Sequence, residues 1–595
     1  MNGSAAASIF YIISGVLFFI GFFMIKKSEK KQHGITWLAI TGIMLECYNA
    51  FFAGIFGLCN IPANLISIGI LDLAGGVLLL LFVWKKGYKQ QYVWDWCDVL
   101  YGVLLLAIVL LIAQKRYGLT TLNWSYRTVD PSARYREAME FVNNQSVSRM
   151  FFAQLQNGTL IELLSPWKAY DDYYQSYVLG DILQLILAGL MFFGTIRKCC
   201  KDHFSKIMSV VASLIYLLGY PLNSTIFGFT YLGMSLYLLG MLFVLMDMFL
   251  KDEQANKWFH VILLMLGAHA LFQCYVLFMP VTFLSMGLAF LYKQHKQKKL
   301  FSLDTLATGL AIFLPACVLG LIYTYMDVFV NDDTTVGSAF SAEGAIYRDL
   351  FSNFMFFLPM AILGLFFLYR TRKNRTFCWF LPLFIVFTLG MFVISYKTGK
   401  ISTYYFYKDY YVLWMLLFML FIYGFLKATP QTRALGCVVL LCWAFIAGMY
   451  LTGAERRIEQ KNGLFVPSQK APSYNDLLVF NWENLHALPY SSDKMDLMHY
   501  VYQNLFETDA TERQVPVVAA QEDTYLYESV TGQRLEDYDF WKSDVYYHNY
   551  YENIQNNVDY VCVYTDNPQY ETKKDYFDSL ERVYENEAGF IAKVK

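Results

Sequence analysis

The chain has 595 residues, of which 56% are hydrophobic and 18% aromatic, and its formal net charge at pH 7 is −1. Soluble domains rarely exceed about half apolar content, so this composition excludes an ordinary soluble protein. A charge so close to zero gives no reason to expect nucleic acid or an acidic partner. The apolar residues form long blocks, and a helix needs roughly 20 of them to cross the hydrocarbon core of a bilayer. The sequence therefore predicts an α-helical polytopic membrane protein.

Hydropathy predicts about fourteen spans, four in the N-terminal part, residues 1–114, and ten in the core, residues 178–454. The predicted spans cover residues 8–25, 36–54, 62–84, 97–114, 178–196, 206–220, 226–249, 258–275, 278–292, 305–326, 352–369, 377–395, 410–426 and 433–452. The first block lacks a basic leader and a small-residue cleavage site, so we interpret it as a retained helix rather than a signal peptide.

The charge of the connections predicts how the spans are oriented. Lysine and arginine concentrate in cytoplasmic loops, and with fourteen spans the short basic connections all fall on one side. The long segments outside the membrane, together with both chain termini, then share the extracytoplasmic side. These segments are residues 115–177, 327–351, 396–409 and 455–595. We expect a multi-pass protein of a bacterial cell membrane that acts on its outer surface.

The first large outer loop, residues 115–177, carries candidate catalytic carboxylates. Asp130 and Pro131 fit the N-cap and first position of an amphipathic helix lying on the membrane surface. Asp171 and Asp172 stand among aromatic residues just before the next span. Carboxylates at this depth act as general bases or hold a divalent ion against a phosphate. The alternatives are that Asp130 only caps its helix and that Asp171 and Asp172 are solvated.

A second candidate region is the outer segment 396–409, where lysines alternate with tyrosines. Tyrosine is common at a membrane interface, but lysine is disfavoured on the outer side. The phosphate or diphosphate of a lipid head group would explain Lys397, Lys400 and Lys408, with Tyr404 beside them. The alternative is an ordinary aromatic belt with lysines that extend along apolar surface to reach water.

Other ionisable residues give weaker signals. Asp332 and Asp333 lie in the predicted outer loop 327–351, where solvated acidic pairs are common. Glu46 and Asp72 lie inside early spans, where charges mark function by default, but they are isolated along the sequence and form no relay on one helix face. The cysteine spacing builds no zinc site and no disulfide framework, so no metal is assigned.

The C-terminal segment, residues 455–595, changes to mixed charge and predicts a small α/β domain. Residues 515–520, 560–564 and 589–594 are expected to form strands, and residues 573–584 a helix. The segment contains no glycine-rich phosphate loop and no G-x-S-x-G motif, so no catalysis is assigned to it.

These features together resemble the GT-C superfamily of polytopic membrane glycosyltransferases, in particular bacterial members. The resemblance lies in the outer loop with Asp130 on a surface helix, in the Tyr/Lys-rich stretch 404–408, in the outer C-terminal domain and in the ending 583–594. It implies a polyprenyl-phosphate or polyprenyl-diphosphate sugar donor and a carboxylate that activates the acceptor. The residues that it implies for the site are Asp130 as base, Asp171 or Asp172 as second carboxylate, and Arg134, Lys397, Lys400, Tyr404 and Lys408 at the lipid phosphate. The pattern departs from the family in placing this loop after the fourth span, with a single Asp before Pro.

The sequence therefore predicts an enzyme that moves a hexosyl or pentosyl group from a polyprenyl-linked donor to a glycan or protein acceptor of the cell envelope. No cofactor is assigned, although a divalent metal is compatible with the carboxylates. One rival is a lipid-linked glycan flippase or other transporter, which would need a continuous polar path across the membrane. The other rival is a non-catalytic assembly protein, for which the outer carboxylates would be dispensable.

Overall fold

The computed structural model describes residues 4–25, 32–86, 92–126, 128, 130–148, 150–200, 202–251, 257–326, 358–371, 375–399, 403–427, 431, 433–434, 438, 477–485, 489–506, 515–533 and 558–594. Within them, 12 helices are long and apolar enough to cross a membrane. The chain is a helical polytopic membrane protein with a small C-terminal sheet, as the sequence predicts.

The N-terminal half supplies most of the spans. Its helices are α1 (Ala5–Met24), α2 (Gly34–Leu58), α3 (Leu65–Lys86), α4 (Trp96–Arg116), α5 (Asp130–Asn144), α6 (Phe152–Leu164), α7 (Tyr173–Arg197), α8 (His203–Leu218), α9 (Tyr220–Phe227) and α10 (Thr230–Lys251). Two short strands, β1 (Gln32–His33) and β2 (Tyr92–Val93), pair in parallel beside the first spans. The α10 helix is the centre of the bundle, because 94% of the residues in its most apolar stretch are buried.

The remaining spans surround this centre. They are α11 (Lys257–Cys274), α12 (Met279–Lys296), α13 (Leu303–Tyr325), α14 (Leu358–Thr371), α15 (Arg375–Thr398) and α16 (Thr403–Lys427). Twelve of the fourteen predicted spans coincide with long apolar helices, and the predicted span 352–369 coincides with the shorter α14. Most of the fourteenth, residues 433–452, and the whole outer loop 327–351 with Asp332 and Asp333 lie outside the described residues.

One span is broken in the middle. The α8 helix ends at Leu218 with Gly219 as its C-cap, and α9 starts at once with Tyr220 and Pro221. Because Pro221 has no backbone N–H, it interrupts the helical hydrogen-bond pattern at the break, although the Asn223 N–H still donates to the Gly219 carbonyl at 3.0 Å. The Asn481 side chain from the C-terminal part donates to the carbonyls of Leu218 and Gly219, 2.7 Å each.

The first outer loop contains two helices where the sequence predicts one. The predicted amphipathic helix is α5, which begins at Asp130 itself, one residue earlier than the N-cap assignment. The additional helix α6 packs against it so closely that Gly158 leaves no room for a Cβ beside the Phe141 ring. The apolar face of α5 is therefore covered by protein. A surface helix lying on lipid was the expectation, and the helix α6 was missed because its polar residues interrupt the hydrophobic periodicity.

The C-terminal part forms helices α17 (Leu477–Leu485), α18 (Ser492–Tyr500), α19 (Gln521–Thr531), α20 (Pro568–Thr572) and α21 (Lys574–Asp578), and strands β3 (Val517–Val518), β4 (Tyr560–Tyr564), β5 (Glu581–Asn586) and β6 (Gly589–Lys593). The strand order is β3-β4-β6-β5, with β3 and β4 parallel and the other pairs antiparallel. The three predicted strands are present. The predicted helix 573–584 is wrong in its second half, because residues 581–586 pair with β6 as an edge strand.

Candidate functional site

Four parts of the chain meet at one end of the bundle. The first turn of α10 brings Tyr231, the second turn of α16 brings Lys408, and Tyr275 follows the end of α11. The N-terminal end of α5 brings Asp130 and Arg134. We call these residues, with Phe229 and Tyr404, the Lys408 cluster.

Lys408 is the centre of this cluster. Its side chain is buried, with 4% of its surface exposed, and its Nζ donates to the Tyr231 hydroxyl at 2.7 Å. Aromatic rings surround the ammonium, at 4.1 Å for Tyr404 and 5.2 Å for Phe229. Among the described residues, no carboxylate lies within the 4.0 Å of an ion pair to it. A buried ammonium held by rings and one hydroxyl has an unmet demand for an anion.

Asp130 and Arg134 on α5 interact electrostatically with Lys408. Arg134 lies over the Tyr231 ring at 5.2 Å and pairs with Glu137 at 2.6 Å. The Glu137 carboxylate raises the pKa of Arg134 above its ordinary value, so the guanidinium stays charged. Asp130 is half-buried and close enough to interact electrostatically with Lys408 and Arg134. The cluster therefore combines two cations with one carboxylate in aromatic surroundings.

The turn between α9 and α10 fixes the start of α5. Gly228 has φ 74°, the left-handed region that favours glycine, and a Cβ there would stand 1.9 Å from Pro131 Cγ. Thr128 donates to the Phe227 carbonyl at 2.5 Å. Pro131 therefore packs the start of α5 directly against Gly228, which lies two residues before Thr230.

A buried carboxylate on α7 links the same two segments. Asp181 accepts hydrogen bonds from the Tyr126 hydroxyl at 2.6 Å and from Thr230 Oγ1 at 2.7 Å. Tyr126 precedes the start of α5, and Thr230 precedes Tyr231 in the Lys408 cluster. We therefore regard Asp181 as a positioning residue.

Asp171 and Asp172 lie elsewhere. Asp171 is buried and accepts from Gln503 Nε2 at 2.8 Å, and Asp172 accepts from Gln175 at 3.1 Å. Their neighbour Tyr170 contacts Asn143, near the C-terminal end of α5, and thirteen helical residues put Asn143 roughly 20 Å from Asp130. The structure therefore does not gather Asp171 or Asp172 with Asp130 and Lys408. Their catalytic role stays a prediction.

Of the other predicted phosphate ligands, some lie in the Lys408 cluster and some do not. Tyr404 lies within the Lys408 cluster, as described. Lys397 is exposed near the end of α15, 6.0 Å from the ring of its neighbour Tyr396. Lys400 lies outside the described residues.

Sequence reasoning missed Tyr231, Tyr275 and Phe229. All three stand next to helix ends, where aromatic residues are expected as interfacial anchors. The Tyr275 hydroxyl is buried and has no hydrogen-bond partner among the described residues. Only the approach of four separate segments shows that these rings enclose a cation.

Glu46 has neutral hydrogen-bond partners on two other helices. Its carboxylate accepts from the Tyr237 hydroxyl at 2.8 Å and from Gln184 Nε2 at 3.3 Å. Asp72 is also fully buried, in α3. Within the described part of the chain, no group of three or more His, Cys, Asp or Glu residues is placed to hold a metal ion.

The chain was compared with protein families, with curated proteins and with solved structures. No family model matches the chain, and no curated protein matches it. The chain is similar in structure to ArnT from Cupriavidus metallidurans, whose crystal structure is bound to undecaprenyl phosphate. The identity is 10% and the TM-score 0.47, over 84% of this chain and 98% of that chain. At this identity the likeness assigns neither a family nor a role to any residue.

Proposed function

We propose that the chain is a membrane glycosyltransferase that takes its sugar from a polyprenyl-phosphate-type lipid and that the Lys408 cluster binds the phosphate of this donor. The observation that carries the proposal is the buried Lys408 ammonium, which has aromatic neighbours and no ion pair among the described residues. Burying such a charge is costly unless an anion joins it. A lipid phosphate supplies that anion, and the surrounding rings suit its apolar tail.

The chemistry follows from the cluster. The Asp130 carboxylate takes the proton of the acceptor hydroxyl as that oxygen attacks the anomeric carbon of the sugar. The bond from that carbon to the phosphate oxygen breaks, and its electron pair leaves with the polyprenyl phosphate. Lys408 and Arg134 stabilise the negative charge that develops on this phosphate. Surfaces outside this cluster select the sugar, a hexose or a pentose. They also select the acceptor, a glycan or a protein.

The sidedness forms part of the proposal. In the topology expected from the basic connections, the N-terminal ends of α10 and α16 and the helix α5 face the extracytoplasmic side. The reaction then takes place at the outer surface of a bacterial cell membrane. Substituted-cysteine labelling at Glu140, which is exposed on α5, checks this: membrane-impermeant reagent added to intact cells should modify Glu140→Cys.

The test is the substitution Lys408→Met, which keeps the aliphatic length and removes the charge. We expect transfer to fall about a hundredfold, the size of effect seen when one preorganised donor to a developing anion is removed. The assay uses purified protein in nanodiscs with a panel of polyprenyl-phosphate hexoses and pentoses, cell-envelope glycans as acceptors, and measures released polyprenyl phosphate. Lys397→Met is the matched control, because Lys397 is exposed and outside the cluster.

Three outcomes are informative. Equal loss in both variants would mean a general effect of surface charge. Unchanged transfer in Lys408→Met would refute the phosphate site. Binding of undecaprenyl phosphate that depends on Lys408, with no transfer for any donor, would favour the transporter alternative.

A further inference from the structure

A recess lies at the end of the bundle opposite the Lys408 cluster. Its volume is about 240 Å³, and its walls come from α7, α10, α14, α15 and α16. The α10 and α16 helices take part in both places, with Tyr231 and Lys408 near their N-terminal ends and Lys251 and Lys427 at their C-terminal ends. The nineteen residues from Lys408 to Lys427 span roughly 28 Å of helix. The recess is therefore separate from the Lys408 cluster by about the thickness of a membrane core.

The wall of this recess is mostly apolar. Phe243, Leu368, Phe377 and Met419 are among the residues that line it, and the rings of Phe243 and Phe377 are 5.8 Å apart. A recess of this size and character accommodates part of a hydrocarbon chain. Free water gains little there, because few polar groups face it.

The rim is basic. Among the described residues, three lysines and one acid line it, Lys198, Lys251, Lys427 and Asp247, so this part of the rim carries three positive charges and one negative charge. Asp247 is paired with Lys251 at 2.5 Å. Each of the three lysines ends or follows a helix, and a cation there also stabilises the helix dipole. The dipole accounts for a lysine at each helix end but not for an apolar recess between the three.

We propose that this recess binds an anionic phospholipid, with one acyl chain against Phe243 and Met419 and the phosphate between the three lysines. The charge of the rim and the apolar wall match the two halves of such a lipid, because basic residues at a membrane surface attract anionic head groups. A zwitterionic lipid offers the same chain without net charge and is not retained. The site is independent of the sugar-transfer reaction proposed above.

Cys199 provides a direct probe. It lines the recess and is exposed, whereas Cys59, also exposed, lies at the end of α2 away from it. The purified full chain is placed in nanodiscs of phosphatidylcholine alone or with phosphatidylglycerol, treated with a maleimide, and mapped by peptide mass spectrometry. We expect phosphatidylglycerol to slow modification of Cys199 and to leave Cys59 unchanged.

Two variants test the lysines. Lys251→Glu with Lys427→Glu should abolish the protection of Cys199, reducing the preference for phosphatidylglycerol about tenfold or more. If this pair does not fold, Lys251→Gln with Lys427→Gln removes the charges more gently and should have the same direction of effect. Lys299→Glu is the matched control, since Lys299 is exposed in the turn between α12 and α13 and does not line the recess.

Several results would overturn the proposal. Equal protection by both lipids, or protection that survives in the variants, would show that the lysines do not select an anionic lipid. Protection by inorganic phosphate without lipid would mean a simple anion site. Protection in detergent with neither present would mean that another part of this chain covers the recess.

Discussion

Lys408 and Asp130 have opposite charges but different proposed tasks, and their substitution should separate binding from chemistry. In Asp130→Asn the carboxylate near Lys408 loses its charge while the shape is kept. We expect undecaprenyl phosphate to bind at least as tightly as to the wild type, because one negative charge near the phosphate is gone. Transfer should nevertheless fall by about 10²–10⁴-fold, the usual contribution of a general base.

The measurement is lipid binding by native mass spectrometry together with the transfer assay. If Asp130 only starts its helix, Asp130→Asn should leave the transfer rate near the wild-type value. Parallel losses of binding and transfer would instead indicate that the whole start of α5 has moved. Glu137→Gln, on the same helix, is the control for a loss of charge beside Arg134.

Gly228 forms the turn against which the start of α5 packs. Its φ of 74° and the 1.9 Å between a Cβ and Pro131 Cγ mean that alanine is strained and also displaces the helix. Positive φ alone costs a non-glycine residue about 1–2 kcal/mol. We expect Gly228→Ala to lower the apparent melting temperature and to reduce binding of undecaprenyl phosphate. Gly287→Ala is the control, because no described atom lies within 4 Å of a Cβ there, and it should do neither.

At the scale of elements, the break between α8 and α9 depends on a residue 262 positions away. Asn481 donates to the carbonyls of Leu218 and Gly219 and accepts from Asn223, whose own side-chain oxygen accepts from the Tyr411 hydroxyl. This chain of hydrogen bonds joins the C-terminal part to α16, one turn beyond Lys408.

Asn481→Leu keeps the volume and removes a side-chain donor from the Leu218 and Gly219 carbonyls. The Gly219 carbonyl still accepts from the Asn223 N–H at 3.0 Å, so the main loss is at Leu218, at about 1–3 kcal/mol for an unsatisfied buried group. We expect a clear fall in the apparent melting temperature in detergent. Asn484→Leu is the matched control, because among the described residues the Asn484 side chain donates to the carbonyl of Phe480 in its own helix and not to the break. Equal shifts in the two variants would contradict a role for Asn481 at the break.

The elements differ in how far the sequence predicts them. Long apolar runs identify spans such as α10 because length and composition suffice in a membrane. The sequence does not predict the helix α6 and the strand β5, because their stability comes from neighbouring elements. The α6 helix packs against Phe141 through Gly158, and β5 pairs with β6 at the edge of the sheet. Asp130, Arg134 and Lys408 are chosen from sequence as separate signals. Their meeting with Tyr231 and Tyr275 requires the packing of helices far apart along the chain.

At the scale of the molecule, the C-terminal part and the first outer loop are joined into one structure on the face of the Lys408 cluster. The Tyr490 N–H donates to the Trp124 carbonyl at 2.7 Å, and buried Arg116 at the end of α4 donates to the Asn484 carbonyl at 2.9 Å. The C-terminal part thereby holds the loop from which α5 reaches Lys408.

The ion pair between α5 and α19 tests whether the first outer loop and the C-terminal part stabilise each other. Arg136 pairs with Glu528 at 3.1 Å, where Glu528 is buried and Arg136 is half-buried, and the guanidinium lies 4.1 Å from the Tyr525 ring. Arg136→Glu should destabilise more than Glu528→Gln, because it places two negative charges together. In a double-mutant cycle with Arg136→Gln and Glu528→Gln, we expect a coupling of about 0.5–3 kcal/mol. The readout is protease cleavage of the first outer loop in nanodiscs. Strictly additive effects would mean that the loop and the C-terminal part do not stabilise each other through this contact.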